Sequence, residues 1–99
     1  EGLDLPRLRD IAALTTVALV LHGGSGIAAA QRASLAASGR IAKVNIGTEL
    51  RQAFGLALRD SLARDGDRFD RIAILCDTEA PVAAAARAAI RSLGASGRV

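Results

Sequence analysis

Apolar residues recur at Leu5, Leu8, Ile11, Ala12 and Leu14, close to the helical period, and Pro6 is acceptable in a first turn. The pattern predicts a short helix over 4–14. Positions 15–21 are β-branched and apolar without alternation, which predicts a strand covered on both faces of a parallel sheet. Gly23-Gly24-Ser25-Gly26 then predicts a turn. An Ala-rich stretch over 27–38 predicts a helix with Ile27, Ala30 and Leu35 inward, Gln31 and Arg32 outward, and a stop at Gly39. A second strand is predicted over 41–46. Strand, glycine turn, helix and strand in about thirty residues make a βαβ unit, whose crossover is right-handed in nearly all cases.

Thr48 is the expected N-cap of the next helix, over 49–64, where Leu50, Phe54, Leu58 and Leu62 fall four residues apart with Ala53 and Ala57 beside them. Asp65-Gly66-Asp67 ends that pattern. Ile72-Ala73-Ile74-Leu75-Cys76 fits a strand or a helical turn equally well, Pro81 is expected to open a final helix through Leu93, and 94–99 is expected to be a loose tail. The pattern contains no repeat, no low-complexity linker and no domain boundary.

Ninety-nine residues bound the chain to one small domain or a piece of a larger one. The first residue is Glu1 rather than Met, and no signal peptide follows, so the expectation is a segment of something longer. Half of the residues are hydrophobic but only Phe54 and Phe69 are aromatic, so the core must be built from Ala, Leu, Ile and Val. The longest apolar run, 17–21, is far shorter than the roughly 20 residues of a membrane span, which predicts a soluble protein with no membrane partner. The lone Cys76 cannot form an intrachain disulfide, is expected to be structural, and is compatible with a cytoplasmic location. The net charge of +3 comes from twelve Arg and one Lys scattered singly. With neither a basic cluster nor stacking aromatics, nucleic-acid binding is not expected, although a basic bias favours a phosphorylated metabolite.

Two loops carry the candidate chemistry. In the first, Gly23, Gly24 and Ser25 offer close backbone approach, a hydroxyl and a helix start, the parts of a phosphate cradle and equally of an ordinary strand-to-helix turn. In the second, Asn45, Ile46, Gly47 and Thr48 end the neighbouring strand with donors and acceptors where another helix begins. Together they make a larger anion cradle than either alone, at the strand ends where α/β proteins place ligands. His22 is the only histidine, and one ligand is not a zinc site. Asp10, Glu49, Asp60 and Asp77 are isolated carboxylates that do not assemble a general acid–base pair.

The stretches Leu19-Val20-Leu21-His22-Gly23-Gly24-Ser25-Gly26 and Lys43-Val44-Asn45-Ile46-Gly47-Thr48-Glu49-Leu50-Arg51-Gln52-Ala53-Phe54 resemble the C-terminal part of class II, metal-dependent ketose-bisphosphate aldolases, the fructose- and tagatose-bisphosphate aldolase family. The resemblance spans most of 17–62, and Leu93-Gly94-Ala95-Ser96-Gly97-Arg98 is similar to that family's ending. It implies an α/β fold, the C-terminal portion of a TIM (β/α)8 barrel: the last two βα units plus terminal helices, with 1–99 as an incomplete part of one domain. It implies that His22 is one of three histidines on a catalytic zinc (Zn2+). Gly23, Gly24, Ser25, Asn45, Ile46, Gly47 and Thr48 would hold the phosphate and nearby oxygens of dihydroxyacetone phosphate, with Na+ or K+ assisting there. The implied partner is a phosphorylated ketose, and the implied assembly a homo-oligomer. The implied mechanism is Lewis-acid cleavage of the C3–C4 bond, with an aspartate absent from this sequence moving the proton at the C4 hydroxyl. The chain departs from the family in having Ala28-Ala29-Ala30 after the glycine loop, where acidic or polar residues are usual, and one extra residue at the Gly39-Arg40-Ile41 junction. Two strands cannot close a barrel of roughly 250 residues. The isolated chain is therefore expected to be marginally stable, oligomeric or partly molten, and inactive alone.

Overall fold

The first helix, α1 (Leu5–Leu14), starts where the pattern predicts because the Asp4 carboxylate accepts the Arg7 N–H at 3.0 Å. Its far end is closed from outside the helix. Arg40 Nη2 donates to the carbonyls of Ala12 and Thr15 at 2.7 and 2.6 Å, taking up acceptors that a helix terminus leaves over. Residues 2–98 are described by the computed structural model.

The strands are β1 (Leu19–Leu21) and β2 (Ile41–Val44), paired in parallel with Leu19 opposite Ile41, Val20 opposite Lys43 and Leu21 opposite Val44. The jump from Ile41 to Lys43 is an irregularity of one residue in the ladder. The first strand is shorter than the predicted 15–21. The Thr15 hydroxyl accepts the Val17 N–H at 3.1 Å, a local turn that competes with sheet pairing. The second stops two residues short of the predicted 41–46. Leu19 and Leu21 pack on the cluster formed by Ile27, Leu35 and Ile41, joined by Leu3, Leu5, Leu8 and Val44. The pleat sends Val20 the other way, where it is exposed, so the strand is not covered on both faces.

Between the strands lie a 3-10 turn (Gly24–Gly26) and α2 (Ala29–Ala37), which ends before Gly39 as expected. Two inward and outward assignments are corrected here. Ala30 is exposed, and Arg32 is buried at 6% exposure on the same face as Leu35, three residues on. The guanidinium is tolerated inside because backbone carbonyls receive its protons, as described below.

The remaining helices are α3 (Thr48–Arg64) and α4 (Arg71–Ser92). Residues through Ile46 together with those from Ile90 form one compact unit, and Gly47–Ala89 form a second. In the second unit the buried line of α3 is Ala57 and Ser61, whereas Phe54 and Leu62 of the predicted stripe are exposed. The reason is a polar hub. Asp77 Oδ2 accepts the Ser61 hydroxyl at 2.8 Å, Arg64 Nη2 at 2.9 Å and Arg68 Nη1 at 3.1 Å. The Ser61 hydroxyl foremost, with Arg64 and Arg68, holds the Asp77 carboxyl below the usual carboxylate range, although partial desolvation opposes this.

Residues 72–76, which fitted strand or helix, are helical: the Asp70 carboxylate accepts the Ile72 N–H at 3.0 Å and starts α4. Pro81 lies inside that helix and does not open one. Its ring removes one backbone donor but leaves the flanking turns continuous. Cys76 is exposed on this helix. The stretch expected as a loose tail instead folds back on the helix end, with Ala95 N–H donating to Ile90 O at 3.1 Å and Gly94 N–H to Arg91 O at 2.9 Å. Val99 lies outside the described residues. Among those residues there are two parallel strands and four α-helices, an α/β arrangement containing β1–α2 and β2–α3, and no helix is long and apolar enough to cross a membrane.

Candidate functional site

Both strands run out at the same end, and the ladder continues one step past them. Asn45 N–H donates to Leu21 O at 2.9 Å, and Gly24 N–H donates to Asn45 O at 3.0 Å. The backbone of Asn45 is thereby stitched to both sides of His22 and Gly23. The amide side chain of Asn45 then lies 3.1 Å from His22, Nδ2 to Nδ1. If the amide donates, the His22 proton sits on Nε2; with the amide turned over, Nδ1–H donates to Oδ1 and Nε2 presents its lone pair outward. The second arrangement is the one suited to a metal donor.

Sequence makes this approach possible at two positions. Gly23 has φ of 70°, a left-handed conformation that a side chain disfavours. Gly24 is buried against the second loop: a Cβ there would stand 2.6 Å from Val44 Cγ1, 3.1 Å from Ile46 Cγ1 and 3.3 Å from Asn45 O. Only hydrogen fits. The predicted residues Gly24, Asn45 and Ile46 are thus packed together with His22 beside them. Ser25 sits in the 3-10 turn, whose Gly26 N–H donates to Gly23 O and Ile27 N–H to Gly24 O.

Gly47 and Thr48 follow directly along the chain and open α3 in the second unit. Here the expectation for Thr48 is corrected. Gly47 is the N-cap and Thr48 the first helical residue, with no side-chain cap; its hydroxyl accepts Arg51 Nη2 at 3.1 Å instead. The Arg51 guanidinium also lies over Gly47, so that a Cβ on Gly47 would stand 2.8 Å from Nη1. A hydroxyl, a guanidinium and the positive end of a helix therefore coincide at the start of α3.

Arg32 is the residue that pattern reasoning misplaced. Its Nε donates to Ile27 O at 2.9 Å, and its Nη2 and Nη1 reach Ser25 O and Ser92 Oγ, both at 3.4 Å. The available signal was an arginine one turn into an alanine-rich helix that follows directly on a glycine turn. Arg51, likewise, was legible only as part of the stretch beginning at Lys43.

Among the described residues no three His, Cys, Asp or Glu side chains converge. The donors among the described residues do not by themselves fit a metal ion, and His22 would be one member of a larger set.

A parallel βαβ unit with a histidine, a glycine-rich loop and an asparagine gathered at one end of its strands belongs to the α/β class of folds. The chain belongs to the class II fructose-bisphosphate aldolase family, whose model matches residues 1–98. It is 34% identical over 95 residues to a fructose-bisphosphate aldolase of Geobacillus stearothermophilus, covering 96% of this chain and 32% of that protein. With a fructose-bisphosphate aldolase of Ureaplasma parvum it shares 42% over 67 residues, 68% of this chain and 23% of the relative. A 6-phospho-5-dehydro-2-deoxy-D-gluconate aldolase of Halalkalibacterium halodurans is 34% identical over 96 residues, 97% of this chain and 33% of the relative. The chain spans about a third or less of the length of these relatives.

Proposed function

We propose that this chain forms one end of the active site of a class II ketose-bisphosphate aldolase, the last two βα units of a barrel. The reaction is the reversible cleavage of fructose 1,6-bisphosphate or tagatose 1,6-bisphosphate to dihydroxyacetone phosphate and glyceraldehyde 3-phosphate. The observation that carries the reading is the junction of His22, Gly24 and Asn45 at the ends of two parallel strands. Membership of the class II fructose-bisphosphate aldolase family supports aldol cleavage as the chemistry.

In this reading His22 contributes one donor to a zinc ion whose other donors lie outside these residues. The phosphate of dihydroxyacetone phosphate binds over Gly23, Gly24 and Ser25, beside the Ser25 hydroxyl and the start of α2. Asn45 orients His22 and reaches the substrate oxygens, while Ile46 backs Gly24. Gly47 and Thr48 offer the dipole and hydroxyl of α3, and a Na+ or K+ ion would offset the remaining phosphate charge.

The test is His22→Ala in the whole polypeptide that carries this chain, read by bound zinc and by cleavage of fructose 1,6-bisphosphate. Zinc content should fall, and kcat/KM should drop at least about a hundredfold, since even partners behind a metal ligand are worth ten- to a hundredfold. Phosphate binding that is indifferent to chelator and to His22→Ala would instead favour a non-catalytic phosphate-binding module.

A further inference from the structure

The glycine turn has three glycines in four residues, yet it follows a strand and precedes a helix whose N-cap, Ala28, has no side chain able to hold it. Such a segment loses much backbone entropy when it adopts a single conformation. On the strand side it is pinned by Gly24 N–H to Asn45 O. On the helix side the pin is Arg32.

We propose that Arg32 is a positioning residue for the phosphate cradle, holding the Ser25 and Ile27 carbonyls inward so that the turn keeps one conformation and the Ala28 N–H at the entrance of α2 faces away from the guanidinium. The inference deepens the phosphate reading given above and rests on it.

The geometry carries the argument. A charged side chain at 6% exposure is costly to bury unless its protons are received, and those of Arg32 go to the Ile27 carbonyl at 2.9 Å and the Ser25 carbonyl at 3.4 Å. In a trans peptide the N–H points opposite to the C=O. With the Ile27 carbonyl turned to Arg32, the Ala28 N–H is turned away from it, at the entrance of α2. The guanidinium is planar, with donors set in a fixed fork, so it sets the orientation of two peptides at once. A contact to Ser92 Oγ at 3.4 Å ties the fork to the end of α4 within the same compact unit. The fork therefore has a fixed base from which to hold the turn.

The experiment compares Arg32→Met and Arg32→Lys with the unaltered protein, in the whole polypeptide. The readouts are hydrogen exchange of the amides over 23–28, the dissociation constant of inorganic phosphate, and kcat and KM for fructose 1,6-bisphosphate. In Arg32→Met, which keeps the volume, exchange over 23–28 should accelerate, and phosphate affinity should fall on the order of tenfold, the worth of one or two hydrogen bonds from a charged donor. KM should rise more than kcat falls. Arg32→Lys, which keeps the charge but loses the fork, should recover only part of the affinity. Unchanged phosphate affinity and unchanged exchange in a folded Arg32→Met protein would overturn the proposal, as would complete rescue by Lys. Where the unaltered protein binds no phosphate, the cradle reading fails by itself, and accelerated exchange confined to 23–28 still distinguishes a true lock from an ordinary core contact. Should Arg32→Met not fold, Arg32→Lys carries the same comparison.

Discussion

The two compact units use arginine in opposite ways. In the first, Arg32 and Arg40 donate to backbone carbonyls, Ile27 and Ser25 for one and Ala12 and Thr15 for the other. In the second, Arg64 and Arg68 converge on the single carboxylate of Asp77, which also accepts Ser61. The first arrangement fixes the direction of peptides, which is what a binding loop needs. The second joins two helices through a seam whose fully buried member is only a serine, at 0% exposure. The carbonyls held by Arg32 and Arg40 carry no titrating proton, whereas the Asp77 carboxylate at the centre of the second arrangement does.

That contrast predicts variants that damage one unit and spare the other. The largest effect is expected from Gly24→Val, since even a Cβ would stand 2.6 Å from Val44 Cγ1 before the branched methyls are added. The cost should be about 3 kcal/mol by overpacking, with loss of phosphate binding, measured by denaturant unfolding and phosphate titration. Normal phosphate affinity in that variant would break the link between the glycine contact and the cradle.

Ser61→Leu should be milder, about 2 kcal/mol, because the enlarged side chain must part the seam between α3 and α4. Its phosphate affinity per folded molecule should match that of the unaltered protein. A fall in affinity with no change in unfolding would erase the distinction between the units.

The smallest effect is the response to acid. Folding lowers the pKa of Asp77, so its contribution is fully present above the unfolded value of about 3.9 and is lost as pH falls through the lower folded value. Thermal melts followed by far-UV circular dichroism should therefore show the second unit weakening only below about pH 4. Asp77→Asn should remove that dependence while lowering stability at neutral pH. An unchanged acid profile in Asp77→Asn would show that other carboxylates govern it.

Much of the site was legible because its parts are local. Gly23 and Gly24 announce a tight turn and a close approach from composition alone, and His22 and Asn45 are polar residues at the ends of apolar runs. The helix start at Asp4 and the stop before Gly39 follow from capping chemistry that involves only a few neighbouring residues. The misplacements have one physical origin. Charge normally stays in water, which by pattern places Arg32 outward, whereas two turn carbonyls and Ser92, sixty residues away, receive its protons in the interior. Thr48 was assigned the cap because threonine favours that role, yet Arg51 takes its hydroxyl and Gly47 occupies the capping position. Pro81 read as a helix start because proline favours a first turn, but Asp70 starts that helix eleven residues earlier.

By itself, then, the sequence determined the helices and strands of the first sixty-odd residues, where the glycine turn lies and which family the residues around it resemble, since these depend on period, capping and local composition. Tertiary structure alone decided that Asn45 reaches both Gly24 and His22, that Arg32 lies beneath the turn, and that a serine and an aspartate form the seam between α3 and α4. Those outcomes depend on hydrogen-bond partners distant in the chain, and no local pattern specifies which partner a buried polar group will find.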